Sequence, residues 1–224
     1  MITLSEQLLL LALNDDKGNV VLSASTALPY GLAGALLLEL FLLEKVKFRK
    51  NTIKLINTAK TDNDILNEVL KVLSTTKKSL ETKHCIELIN KKITKLQDRL
   101  ADQLVEKKVL VKQEKSFLWI INYNHYPTKD ATPEEGIRTR IKNIVLKRQE
   151  ATEEDVALLC LIKACDLIKE IFDKPDRKKA TERIKHITEH HQVGVAISKT
   201  MEEITAAIMM IIIASSVSTT VITS

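Results

Sequence analysis

Residues that punctuate a chain are scarce here: 5 glycines and 4 prolines in 224 positions. A sandwich or barrel of short strands needs a turn residue every few positions, so a turn-rich β architecture is excluded. Aromatics are almost as rare, 4% of the chain against 45% hydrophobic in all. The core must then come from Leu, Ile, Val and Ala, which favours packed helices. Cys85, Cys160 and Cys165 show no CxxC spacing. An odd, irregular set points to reduced thiols in a cytosolic compartment. Cys160 and Cys165 lie in an apolar run and read as core. No secretory leader is expected: MITLSEQLLLLAL has no basic flank and no small-residue cleavage site, and Glu6 interrupts it. The apolar run at 204–217 is shorter than the ~20 residues a membrane span needs. It reads as a buried helix and not as a tail anchor.

Catalytic patterns are missing as well. Gly31-Leu32-Ala33-Gly34 fits neither GxGxxG nor a Walker loop, and its glycines read as points of close helix approach. His186, His190 and His191 share a helix end without HExxH or a third ligand. They read as a solvated terminus, where imidazole suits the negative pole of the helix dipole. Glu153-Glu154-Asp155 reads as helix-start acid. There is no nucleophile elbow and no Ser-His-Asp ordering. The chain is expected to be non-enzymatic, with no cofactor and no metal.

What is present is helical periodicity. Length suits one domain, residues 1–224, and no linker or repeat divides it. Thr3 or Ser5 caps a first helix that stops at a turn over 14–19. A second helix, 32–43, is apolar on nearly every face and belongs at the centre of the core. A short strand pair is expected within 46–56, and helices at about 64–73, 79–90, 134–149, 152–172, 177–190 and 197–214. The fold class is mainly α: a single globular domain with central apolar helices, amphipathic helices around them, and one projecting β-hairpin. Residues 95–121 hold that hairpin. Leu96, Leu100 and Leu104 keep helical spacing, and Val109-Leu110-Val111 turns strand-like. A polar tip follows at 112–116, then Phe117-Leu118-Trp119-Ile120-Ile121 with the only tryptophan.

Net charge is +5 and the cations are clustered. Lys45, Lys47, Arg49, Lys50 and Lys54 form one set, and Arg138, Arg140, Lys142, Lys147 and Arg148 another. Lys91, Lys92, Lys95 and Arg99 line the helix before the hairpin. Each set reads first as a solvated face. Beside an apolar hairpin such faces can also draw a protein to an anionic membrane, at ~1 kcal/mol per well-placed cation. Trp119 and Tyr123 are residue types that favour the membrane interface, although Trp119 could equally pack the hairpin onto the helices. A helix followed by a basic-tipped hairpin also suits a winged-helix nucleic-acid binder. Asp98, Asp102 and Glu106 on that helix would repel phosphate.

Four stretches, in order, resemble the Golgi phosphoprotein 3 family. They are LSEQLLLLALNDDKGN at 4–19, GLAGALLLEL at 31–40, RLADQLVEKKVL at 99–110 and ALLCLIKACDLIKEIF at 157–172. The second is similar to the family's GLRG and following LxEL helix, the third to its RLAxxLVEKGVL, the fourth to its ALIYLAxASDVLxxxF. The resemblance implies a mostly helical domain with a projecting hairpin and no catalysis. Eukaryotic members are peripheral membrane proteins that bind phosphatidylinositol 4-phosphate and recruit Golgi glycosyltransferases by their cytosolic tails. Their hairpin serves membrane insertion or self-association. Their headgroup pocket uses one tryptophan and three arginines. The matching positions here are Ala24, Ala33, Thr94 and Gln97, while Arg99 matches an arginine outside the pocket. None of these four side chains can supply a guanidinium's two-pronged grip on phosphate. Unselective attraction through Lys91, Lys95 and Arg99 is what remains. Richness in Lys, Ile and Asn, and the short lead before the first match, point to a prokaryotic member.

The expectation is a cytoplasmic adaptor, peripheral on the cytoplasmic membrane face. Its partners would be anionic membrane lipid or a membrane-protein tail, met through Phe117, Leu118, Trp119 and Ile120. Homo-oligomerisation through the hairpin is the alternative, and nucleic-acid binding the remote third.

Overall fold

A computed structural model describes residues 1–76, 79–117, 121–190 and 195–220; at 115–117, 121–123, 190, 195–198 and 215–220 it describes the backbone alone. Thr3 opens α1 (Leu4–Ala12) with a capping box. Its hydroxyl accepts from the Glu6 N–H, and the Glu6 carboxylate accepts from the Thr3 N–H. α2 (Leu28–Leu42) carries Pro29 in its first turn, where a missing N–H costs nothing. The two helices run antiparallel: Gly31 lies against Leu8, and the Glu39 carboxylate accepts from the Ser5 N–H at 2.7 Å.

Around this pair stand α3 (Asp64–Ser74), α4 (Thr82–Lys92), α5 (Leu96–Glu106), α6 (Thr132–Lys147), α7 (Glu153–Ala164), α8 (Ile168–Ile171), α9 (Arg177–His190) and α10 (Val195–Thr220). The protein is mainly α, and its buried apolar side chains form one cluster. The glycines of α2 mark close approaches. A Cβ on Gly31 would strike Cys165 Sγ, and one on Gly34 would sit 2.9 Å from Ile208 of α10. All three cysteines are free and buried, and burial pushes each thiol up to about 12.

Among the described residues the strands form two small antiparallel sheets. β1 (Val46–Arg49), β2 (Thr52–Leu55) and β3 (Leu80–Glu81) form one, in that order. The sequence anticipates the first two strands but not the two-residue third. β4 (Gln113–Phe117) and β5 (Ile121–His125) form the hairpin, with Gln113 opposite His125 and Phe117 opposite Ile121.

The register corrects the expected hairpin. The stretch read as a polar tip, 112–116, is mostly strand β4; of the expected apolar strand 117–121, residues 118–120 lie outside the described residues. Val109 and Leu110 are buried, so they serve the core and not the ribbon. The apolar, β-branched run Val109-Leu110-Val111 drew the first expected strand toward the core-facing residues before β4. The described strand β4 reads Gln113-Glu114-Lys115-Ser116-Phe117 and lacks the apolar alternation that signals a half-buried strand.

Two helix boundaries also differ. The expected helix at 152–172 is divided by Cys165, Asp166 and Leu167 into α7 and α8. The basic row Lys91, Lys95, Arg99 does not line one helix, because the chain breaks between α4 and α5, with Lys95 left-handed at φ 52°.

Both breaks hold a non-glycine residue in the left-handed conformation, Lys95 in one and Asp166 in the other. Among the described residues seven non-glycine residues have positive φ: Glu44, Lys50, Asn51, Lys95, Lys108, Arg148 and Asp166. Glu44, Lys108 and Asp166 hold one role. After α5 the Lys108 N–H donates to Val105 and the Val109 N–H to Leu104, both at 2.9 Å. Glu44 with Lys45 repeats this pair after α2, and Asp166 with Leu167 after α7. The paired bonds define a Schellman cap, whose left-handed residue is ordinarily glycine. An L side chain in that conformation costs roughly 1–2 kcal/mol, partly offset because glycine loses more backbone freedom on folding. Glu44→Gly, Lys108→Gly and Asp166→Gly are each expected to stabilise by ~0.5–1 kcal/mol, and together by ~2 kcal/mol. Denaturant melts of the triple variant check this.

Candidate membrane-contact site

The hairpin is rooted on the turn after α1 and against Asp102 of α5. After α5 the Leu110 backbone bridges to Thr128, and the Val111 N–H donates to Pro127. The return strand is pinned to the turn after α1. The Tyr126 N–H donates to Gly18 and the Thr128 N–H to Asp15, each at 3.0 Å, and His125 Nδ1 lies 2.7 Å from the Lys17 carbonyl. Gly18 has φ +63°, and a Cβ there would run into the backbone of Tyr126 and Pro127. Lys112 bonds Asp102 at 3.0 Å and lies 5.9 Å from the centre of the Tyr126 ring. The Tyr126 hydroxyl donates to Asp102, and burial first, then Asp98 and Asp102, pushes its pKa up. Glu134, at the start of α6, is buried and pushed up to about 7. Its desolvation, with Asp15 adding to it, outweighs the 2.6 Å ion pair with Arg138.

Beyond that root β4 and β5 pair with each other and make few contacts with other elements among the described residues. Phe117 ends β4. Of the expected contact residues, Leu118, Trp119 and Ile120 lie outside the described residues, as does the Phe117 side chain.

The basic residues expected to face anionic lipid fall on α4, on α5 and on the link between them. Lys91 is exposed in the last turn of α4, and Lys95 is exposed between helices. Arg99 on α5 is engaged by both oxygens of Glu68, at 2.6 and 2.8 Å. That fork holds the Glu68 carboxyl below its ordinary range. Of the positions matching the family's headgroup pocket, Ala24 and Ala33 are fully buried, Gln97 half-buried and Thr94 exposed. His186 lies 3.3 Å from Arg183 Nη1. His191 and the His190 side chain are outside the described residues, which hold no group of three or more His, Cys, Asp or Glu able to hold a metal ion.

The Golgi phosphoprotein 3 (GPP34) family profile matches residues 4–204. The chain belongs to the Golgi phosphoprotein 3 family. Curated relatives agree. A vacuolar protein sorting-associated protein 74 of Schizosaccharomyces pombe is 24% identical over 221 residues, covering 82% of this chain and 65% of its own length. Its namesake in Eremothecium gossypii is 24% identical over 213 residues, covering 80% of this chain and 63% of its own length. The chain thus spans slightly less than two thirds of these relatives. In this family member no helix among the described residues is long and apolar enough to cross a membrane.

Sequence reasoning missed one cluster in this region. The Glu6 carboxylate, wholly buried, takes both oxygens to Lys107 Nζ at 2.6 Å. The buried Glu39 carboxyl beside it is pushed up, by burial first and by the Glu6 charge among lesser causes. The capping box marks Glu6, but no sequence signal pairs it with a lysine 101 residues later.

Proposed function

We propose that this protein is a non-enzymatic adaptor that binds a membrane peripherally on its cytoplasmic face and holds lipid or the tail of a membrane protein. Family membership supports that role, as do relatives named for vacuolar protein sorting. The observation that carries the reading is the register of β4 and β5. Its last described pair is Phe117 with Ile121, and the three residues between them in sequence, Leu118-Trp119-Ile120, are apolar where both flanking strands are largely polar. A short apolar sequence carried by a polar ribbon suits shallow insertion, since burying each large apolar side chain contributes roughly 1.5–3 kcal/mol. Selective phosphoinositide recognition is not part of the proposal, because Ala24 and Ala33 have no side chain to offer a headgroup.

Leu118→Asp with Trp119→Asp is expected to weaken co-sedimentation with anionic vesicles at least ~100-fold. Wild-type protein that fails to sediment with neutral, anionic or phosphoinositide-bearing vesicles ends the membrane reading. If light scattering then shows a wild-type oligomer that the same double variant dissociates, self-association through the hairpin takes its place.

A further inference from the structure

The basic set around residues 45–54 folds into a ribbon of its own. β1 and β2 pair Val46 with Leu55 and Phe48 with Ile53 on one face, and Lys47 with Lys54 and Arg49 with Thr52 on the other. The first face is inward: Val46 and Ile53 are buried, and Phe48 meets Phe41 of α2 edge-on at 5.6 Å. The second is outward, with Lys47, Arg49 and Lys54 exposed. Lys50 and Asn51, both left-handed, close the turn and add a fourth exposed cation. Lys45 extends the ladder, its carbonyl accepting from the Ile56 N–H at 2.8 Å. None of these five cations forms an ion pair among the described residues; Glu81, opposite Thr52 on β3, is exposed on the same outward face but is bridged to none of them.

Edge protection explains cations on β1, an edge strand. It does not explain why Lys54 of β2, a strand that β3 pairs only at Thr52 and Ile53, stands directly opposite Lys47, since a like-charge pairing destabilises a sheet. A surface that keeps such a pair with neither lysine in an ion pair among the described residues is suited to an anion from outside. Leu43 and Ile56 flank the ribbon, 50% and 47% exposed. The outer face has no aromatic on which a base could stack, since Phe48 is turned inward. Cations beside exposed aliphatic side chains match a lipid surface better than a nucleic acid.

We propose that the β1–β2 ribbon is a second contact for an anionic lipid bilayer, separate from the hairpin. It rests on the membrane-adaptor reading above and adds a second site to it. The two sites are far apart. The hairpin root sits on the turn after α1, and the ribbon follows the C-terminal end of the antiparallel α2, whose 15 residues span about 22 Å. Their contributions are therefore separable.

The test is Lys47→Thr with Lys54→Thr in the full chain, using phosphatidylcholine vesicles with and without phosphatidylserine. The expected result is about 25-fold weaker binding to phosphatidylserine vesicles, roughly fivefold per cation. The variant's Tm should rise as the repulsion is removed. Wild-type protein that binds these vesicles while the ribbon variant binds equally well overturns this inference and leaves the hairpin reading standing. Wild-type protein that binds no vesicle overturns both. Salt-sensitive retardation of RNA that the variant loses, with vesicle binding unchanged, assigns the ribbon to nucleic acid and also overturns the proposal.

Discussion

Gly18→Ala is expected to destabilise the fold by ~2–5 kcal/mol and to loosen the hairpin before anything else. Two effects add. The residue holds φ +63°, which an L side chain adopts at a cost of roughly 1–2 kcal/mol. The new methyl would also meet the backbone of Tyr126 and Pro127, which cannot rotate away as a side-chain end can. Overpacking of this kind ordinarily costs ~1–3 kcal/mol. The strain falls on the place where the Tyr126 N–H donates to the Gly18 carbonyl and the Thr128 N–H to the Asp15 carbonyl. Amide exchange at 121–128 should accelerate by more than exchange in α2. A variant within ~0.5 kcal/mol of wild type, with β5 amides equally protected, would show that the hairpin is not held by this turn. If the hairpin makes the membrane contact, the variant should also lose vesicle binding, although its apolar residues are intact.

The framework was legible in the sequence because its signals are local. Thr3 and Glu6 announce a capping box, α2 is apolar all round, and Asn63 stands where α3 begins and caps it through the Ile65 and Leu66 N–H groups. Boundaries that depend on left-handed residues were not legible. Lys108 and Asp166 end helices in a conformation that glycine usually signals, so α7 and α8 read as one helix. The hairpin was placed but misregistered, because Val109 and Leu110 are apolar for the sake of the core and polar β4 carries no burial signature. In the candidate site the sequence also hid that Glu68 engages Arg99, a contact made across 31 residues. The basic ribbon was visible only as composition. The pairing of Lys47 with Lys54 follows from register, which the two left-handed residues Lys50 and Asn51 set.

Lys107→Met should prove nearly as damaging as Gly18→Ala, for an electrostatic reason. Lys107 is the one cation bonded to Glu6 among the described residues, and it also reaches the Met1 carbonyl at 3.0 Å. The methionine preserves most of the aliphatic stem, so what is lost is the charge. Glu6 would then be a buried carboxylate held only by its capping bonds, near Glu39, whose own charge burial already disfavours. Removing one partner of a buried pair typically costs ~3–5 kcal/mol, and part of that is spared here because Lys107 itself is 35% exposed, so ~2–4 kcal/mol is expected. The companion change separates charge from packing. Glu6→Gln keeps an oxygen that can accept from the Thr3 N–H but removes the stranded charge. The double variant Glu6→Gln with Lys107→Met should therefore recover most of the loss. A denaturant double-mutant cycle measures the coupling, which should exceed ~1.5 kcal/mol. Additive losses would mean that the N-terminus of α1 is held by the capping box alone and that the lysine is a surface ornament. A strong coupling would place one residue of the VEKK segment, at the exit of α5 toward the hairpin, in the electrostatic anchor of α1. The two supports of the hairpin root, the turn after α1 and the end of α5, would then depend on the same helix.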